Sequence, residues 1–106
     1  MIVVVGRVTT DAERRDELVR IGEEVASASR AEEGCLSYAL YEDTANEDRF
    51  VFVEEWESQE ALERHFRTPH IARFMKAIPT VVAAPPDVKF HTIASTVDLA
   101  QLGART

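Results

Sequence analysis

Residues 34–70, GCLSYALYEDTANEDRFVFVEEWESQEALERHFRTPH, decide the fold. Gly34 fits the left-handed position that commonly ends a helix. Cys35–Glu42 reads as a strand. Asp43–Asp48, DTANED, is turn chemistry, with Asx residues and no large apolar side chain. Arg49–Trp56 reads as the next strand. Ser58 caps a helix whose apolar face carries Leu62 and Phe66. Thr68-Pro69 starts another helix, with threonine as cap and proline at the first helical position. Aromatic and ionisable side chains gather in this stretch: Tyr38, Tyr41, Phe50, Phe52, Glu54, Trp56, His65, Phe66 and His70.

Working outward, Ile2–Thr9 is a β-branched strand with Gly6 its weak point. Thr10 with Glu13 forms a capping box, opening a helix to about Ala31 with Leu18, Ile21, Val25 and Ala28 on one stripe. After Pro69, the stripe Ile71, Phe74, Met75 and Ile78 should be buried, and Pro79 should end or kink that helix. Ala83–Pro86 is a loop, Val88–Ser95 a fourth strand, and Thr96–Thr106 a tail. The order β-α-β-β-α-β predicts an α+β, ferredoxin-like fold with a four-stranded antiparallel sheet. A chain of 106 residues is expected to form one domain, with its core within about residues 1–95.

The strands are apolar on both faces: Phe50, Phe52 and Trp56 against Val51 and Val53, and Ile2 and Val4 against Val3 and Val5. Helices cover only one face of a sheet in this order, so the other needs a cover. A sheet-to-sheet homodimer supplies one. Tyr41 falls on that second face, Glu55 could pair across it, and His91 suits an interface or the surface.

A net charge of −7 argues against a nucleic-acid surface. The acidic residues are spread along the chain and read mostly as solvated faces. The lone Cys35 cannot form an internal disulfide and reads as a small buried hydrophobe. The opening MIVVVGRV is too short for a signal sequence, and no run approaches transmembrane length. The cytoplasm is therefore the expected location.

His65 should face the sheet beside Leu62 and Phe66, and Trp56 could line the same cavity. His65 is either a base for a phenolic proton or a core-edge histidine satisfied by one hydrogen bond. Trp56 is either packing or part of the site. Tyr38 could orient a substrate oxygen or reach solvent at the core margin. Glu54 shares a face with Phe52 and Trp56, where burial would raise its pKa. It is a site carboxylate or the partner of Arg7 or Arg49. His70, near Phe74 on the flank of its helix stripe, could face the cavity mouth or cap the site from above. His65 and His70 are five apart, about 140° on a continuous helix, which argues against a metal pair. No nucleotide-binding or nucleophile-elbow motif occurs.

Trp56, Ser58, Ala61 and His65, with Gly34–Tyr38 and Phe50–Trp56, resemble the antibiotic biosynthesis monooxygenase family of dimeric α+β barrels, over about residues 1–95. The resemblance is to its quinol monooxygenase branch. It implies a homodimer that oxidises a hydroquinone, anthrone-like or other polycyclic phenol with dioxygen and no cofactor. Catalytic roles would fall to His65, Trp56 and Tyr38, with Glu54, Phe52, Phe66, His70 and Phe74 around the substrate. Haem degradation is disfavoured, because the first strand, IVVVGRVT, lacks the asparagine of the haem-degrading relatives. An isomerase of phosphorylated sugars, drawing on Arg7, Arg49, Arg64, Arg67 and Arg73, and a non-enzymatic dimeric ligand-binding or stress-related module remain open.

Overall fold

The computed structural model describes residues 1–103. Strand β1 (Ile2–Thr9) leads through a 3-10 turn (Ala12–Arg14) into α1 (Arg15–Arg30). Strands β2 (Cys35–Asp43) and β3 (Asn46–Trp56) form a hairpin. Helices α2 (Gln59–His65) and α3 (Pro69–Ala77), a 3-10 turn (Ile78–Thr80), β4 (Asp87–Thr92) and a short α4 (Leu99–Gly103) follow. The sheet order is β2-β3-β1-β4, and every neighbouring pair is antiparallel. This is the expected α+β, ferredoxin-like arrangement. The final three residues of the tail lie outside the described residues.

The core is the layer between α1–α3 and one sheet face. Ile2, Val4 and Val8 of β1 and Phe50, Phe52 and Trp56 of β3 meet Leu18, Ile21 and Val25 of α1 there. Strand alternation puts Val3, Val5, Val51 and Val53 on the opposite face, half-buried. The α1 backbone lies close on this core: a Cβ at Gly22 would stand 2.7 Å from Leu40 Cδ2.

Several local expectations hold. Ser58 Oγ accepts from the Ala61 amide at 3.2 Å, and Thr68 Oγ1 from the Ile71 amide at 3.4 Å. Gly34 has φ +86°, and a Cβ there would meet Ala61 Cβ at 2.5 Å. α3 stops at Ala77, and Pro79 sits within the following 3-10 turn.

Others do not. Thr10 is not a helix cap: its hydroxyl is buried and donates to the Val81 carbonyl at 2.9 Å, and Asp11 caps the 3-10 turn instead. The expected six-residue turn at 43–48 is shorter, with only residues 44 and 45 between the strands. The Asp43 carboxylate accepts from the Ala45 amide and holds the turn, so flanking polar residues join the ladder. β4 ends at Thr92 rather than Ser95. Strand β2 carries a bulge between Cys35 and Ser37, so Cys35 pairs with Trp56 and Tyr38 with Glu54. Leu36 is the extra residue and is exposed. Ala28 is half-buried, and Met75 is exposed rather than buried.

Candidate active site

Between the sheet and the α2–α3 segment lies a cleft of about 480 Å³. Its sheet wall includes Val4, Tyr38, Phe52, Glu54, Val88 and Phe90. His65, Phe66, Ile71 and Phe74 come from the helical side. The register sets Glu54 between Val4 of β1 and Tyr38 of β2. A carboxylate is thereby the polar point of an otherwise apolar floor.

Glu54 is nearly buried, and Trp56 Nε1 donates to its Oε1 at 2.9 Å. Neither Arg7 nor Arg49 is its partner, contrary to the salt-bridge alternative. Both arginines are exposed, in a separate pocket with Glu42, Asp43 and Asp87. Burial pushes Glu54 up to about 7, against the pull of hydrogen bonds from Trp56 and Tyr38. Burial, then the nearby Glu54 charge, also pushes the Tyr38 hydroxyl up, so Tyr38 stays protonated. Cys35 is half-buried and pushed up to about 11, first by burial and then by Glu32 and Glu54, which suits an inert thiol.

Trp56 is fully buried and is absent from the cleft wall. Its ring lies tilted at 41° to that of His65, centroids 4.6 Å apart, while its indole N–H donates to Glu54. It thereby contacts both Glu54 and His65 of the cleft wall. Tyr38 completes the aromatic frame, 5.7 Å from the His65 ring and 6.3 Å from those of Trp56 and Phe52.

His65 closes the last turn of α2 and is 1% exposed. Its Nδ1 lies 2.7 Å from Glu32 Oε2. An ionised carboxylate only accepts, so this bond assigns the proton to Nδ1 and leaves Nε2 of neutral His65 as a free base. Burial pushes His65 below its ordinary value, with the Glu32 hydrogen bond acting against that shift.

Glu32 is the candidate site residue that sequence reasoning missed. It sits in the link between α1 and β2, where its amide bonds to the Ser29 carbonyl and its carbonyl accepts from the Cys35 amide. The Gly34 turn brings the link against α2. The same Oε2 accepts from His70 Nε2 at 2.7 Å. This overturns the expectation that the two histidines diverge. α2 ends at His65, and the 66–68 link folds back with the Thr68 hydroxyl on the His65 carbonyl at 2.7 Å. The imidazole centroids end 5.9 Å apart.

His70 does not close the cleft as expected. It lines a separate groove with Arg20, Glu24 and Arg73. Phe66, Phe52 and Phe74 do line the cleft, and exposed Phe66 approaches Phe90 at 6.1 Å across its mouth. Glu32, His65 and His70 are ligand types that suit zinc or iron, with ligand atoms all within 4.8 Å. Their N···O separations of 2.7 Å are shorter than the roughly 3.3 Å between two ligands of one tetrahedral ion. As placed, they hydrogen-bond one another.

The family model for antibiotic biosynthesis monooxygenase matches residues 1–77. The chain belongs to the antibiotic biosynthesis monooxygenase family. "Uncharacterized protein sll1783" of Synechocystis sp. is 35% identical over 98 residues, covering 92% of this chain and 67% of that protein. "Putative monooxygenase YcnE" of Bacillus subtilis is 33% identical over 88 residues, covering 83% and 93%. The solved structure of Rv0793 from Mycobacterium tuberculosis superposes with a TM-score of 0.85 at 25% identity, covering 92% of this chain and 98% of that one. The family match spans β1 to the end of α3, and so takes in Glu32, Tyr38, Glu54, Trp56, His65 and His70. No helix among the described residues is long and apolar enough to cross a membrane.

Proposed function

We propose that this family member is a cofactor-independent monooxygenase acting on a hydroquinone, anthrone-like or other polycyclic phenol. The observation that carries the reading is His65 in the wall of an apolar cleft with its Nδ1 held by Glu32. His65 Nε2 takes the hydroxyl proton, and the electron pair of that O–H bond stays on the substrate as a phenolate. The electron-rich anion then reduces dioxygen directly. One oxygen atom enters the substrate and the other leaves as water, with the substrate supplying the electrons. The protein deprotonates the substrate, holds it and keeps water out.

Phe52, Phe66 and Phe74 offer the apolar contacts that a flat aromatic guest needs. Tyr38, whose hydroxyl proton goes to Glu54, can accept from a substrate hydroxyl, and Glu54 can accept from a second. Among the described residues, no lysine or arginine lines this cleft, so a phosphorylated sugar would meet a carboxylate and no fixed cation. The reading is tested by oxygen uptake with a panel of hydroquinones and anthrones, using chelated, flavin-free and haem-free protein. Turnover under those conditions is expected. Tight binding of the same compounds without oxygen uptake would overturn it in favour of a ligand-binding module.

The second sheet face supports a homodimer. Val3, Val5, Val51 and Val53 form an apolar patch there, bordered by exposed Tyr41. Glu55, on the same face, accepts from Ser37 Oγ of its own chain at 2.6 Å. A second copy would bury this patch sheet to sheet.

A further inference from the structure

We propose that Glu32 and His70 form a proton relay joining His65 in the buried cleft to solvent in the outer groove. Its basis is geometric. His65 lines the apolar cleft, whereas His70 lines a different, charged groove with Arg20, Glu24 and Arg73. One carboxylate oxygen, Glu32 Oε2, bridges them, 2.7 Å from His65 Nδ1 and 2.7 Å from His70 Nε2. Side-chain exposure rises outward, from 1% at His65 to 13% at Glu32 and 14% at His70. His65 is 1% exposed, so the proton that it removes has little direct access to bulk water. These three groups give that proton a continuous path of short hydrogen bonds.

The step balances. The substrate O–H bond breaks, its proton joins His65 Nε2, and the Nδ1 proton passes to Glu32 Oε2. As His70 Nε2 donates to Glu32 in the observed arrangement, His70 first exchanges through water to the tautomer with its proton on Nδ1. Protonated Glu32 then donates to the bare Nε2, and the Nδ1 proton leaves to water or buffer, which returns His70 to the observed tautomer. The same path in reverse returns protons when dioxygen is reduced. His70 acts through Glu32 and His65 and touches no substrate, so it is a positioning and relay residue.

The relay rests on His65 being the base of the cleft, and its test has an arm that needs no substrate. In chelated, 15N-histidine-labelled protein at low buffer, exchange of the His65 Nδ1 proton with water is read by NMR. His70→Ala should slow it about tenfold, and millimolar imidazole should restore it, as a free proton carrier would. His70→Gln keeps a donor for Glu32 but carries no proton, so it should be as slow as His70→Ala. Exchange at the wild-type rate or faster in His70→Ala would overturn the relay. A fast His70→Gln protein would also overturn it, leaving His70 only a support for Glu32. In the second arm, His70→Ala turnover at low buffer should drop and be rescued by imidazole; a drop that imidazole does not rescue would overturn the relay. If wild-type protein oxidises nothing while the exchange result holds, the oxidation reading falls and the relay stands.

Discussion

Burial favours the neutral form of His65, and the proton of that form is committed to Glu32. The imidazole is thus ready to accept a proton at neutral pH without first losing one. His65→Ala should lower turnover about 10²–10⁴-fold, the range for losing general base catalysis. Raising the pH should partly rescue it, because a phenol with a pKa of about 10 then ionises unaided. Steady-state rates across pH check both. Full activity in His65→Ala would move the base to Glu54. That carboxylate has its own signature. Its folded value of about 7 stands above the ordinary 4.5, so the unfolded chain ionises first as pH rises. Glu54 supports the fold fully below 4.5, and that support is lost as pH rises through 7. The loss is on the order of 3 kcal/mol. Glu54→Gln does not titrate and should gain by that order relative to wild type between about pH 5 and about pH 8. Urea unfolding at both pH values checks this, and parallel profiles would show that burial does not govern Glu54.

At the scale of elements, the link from α1 to β2 matters most, because it carries both the Gly34 turn and Glu32. Gly34→Ala would force a side chain into φ +86° and against Ala61. It should cost about 2–4 kcal/mol, combining left-handed strain with overpacking. Thermal unfolding measures the loss, and weakened His65–Glu32 coupling by NMR should accompany it. An unchanged melting temperature would contradict this placement. Element order, the Ser58 and Thr68 caps and the Gly34 turn were legible because each rests on a local chemical preference. So were the shared face of Phe52, Glu54 and Trp56 and the turn of His65 toward the sheet, which follow from strand alternation and helix phase. The Leu36 bulge was not, because a strand's register is settled by its neighbour; here Cys35 pairs with Trp56 and Ser37 with Glu55. Thr10 looked like a cap because the Val81 carbonyl that claims its hydroxyl is distant in sequence. Glu32 was invisible for the same reason. Beside Glu33 and before Gly34 it reads as solvated charge, and only the fold-back at residues 66–68 brings two imidazoles onto it.

For the whole molecule, the unanswered demand is the apolar second face of the sheet. Val53→Asp would place an unpaired charge in the proposed sheet-to-sheet interface. Light scattering should give a dimer for wild type at micromolar concentration and a monomer for the variant. A wild-type monomer would refute this assembly. The central claim, that this fold oxidises a phenol with its own acid–base groups, is met most directly by isotope labelling. Chelated, flavin-free and haem-free protein is given an oxidisable hydroquinone or anthrone under oxygen-18 gas, beside His65→Ala, and the product mass is read. The expected result is one labelled oxygen atom in the wild-type product, with product formation largely lost in the variant. Label incorporation that requires added metal or flavin, or that proceeds equally without His65, would contradict the account.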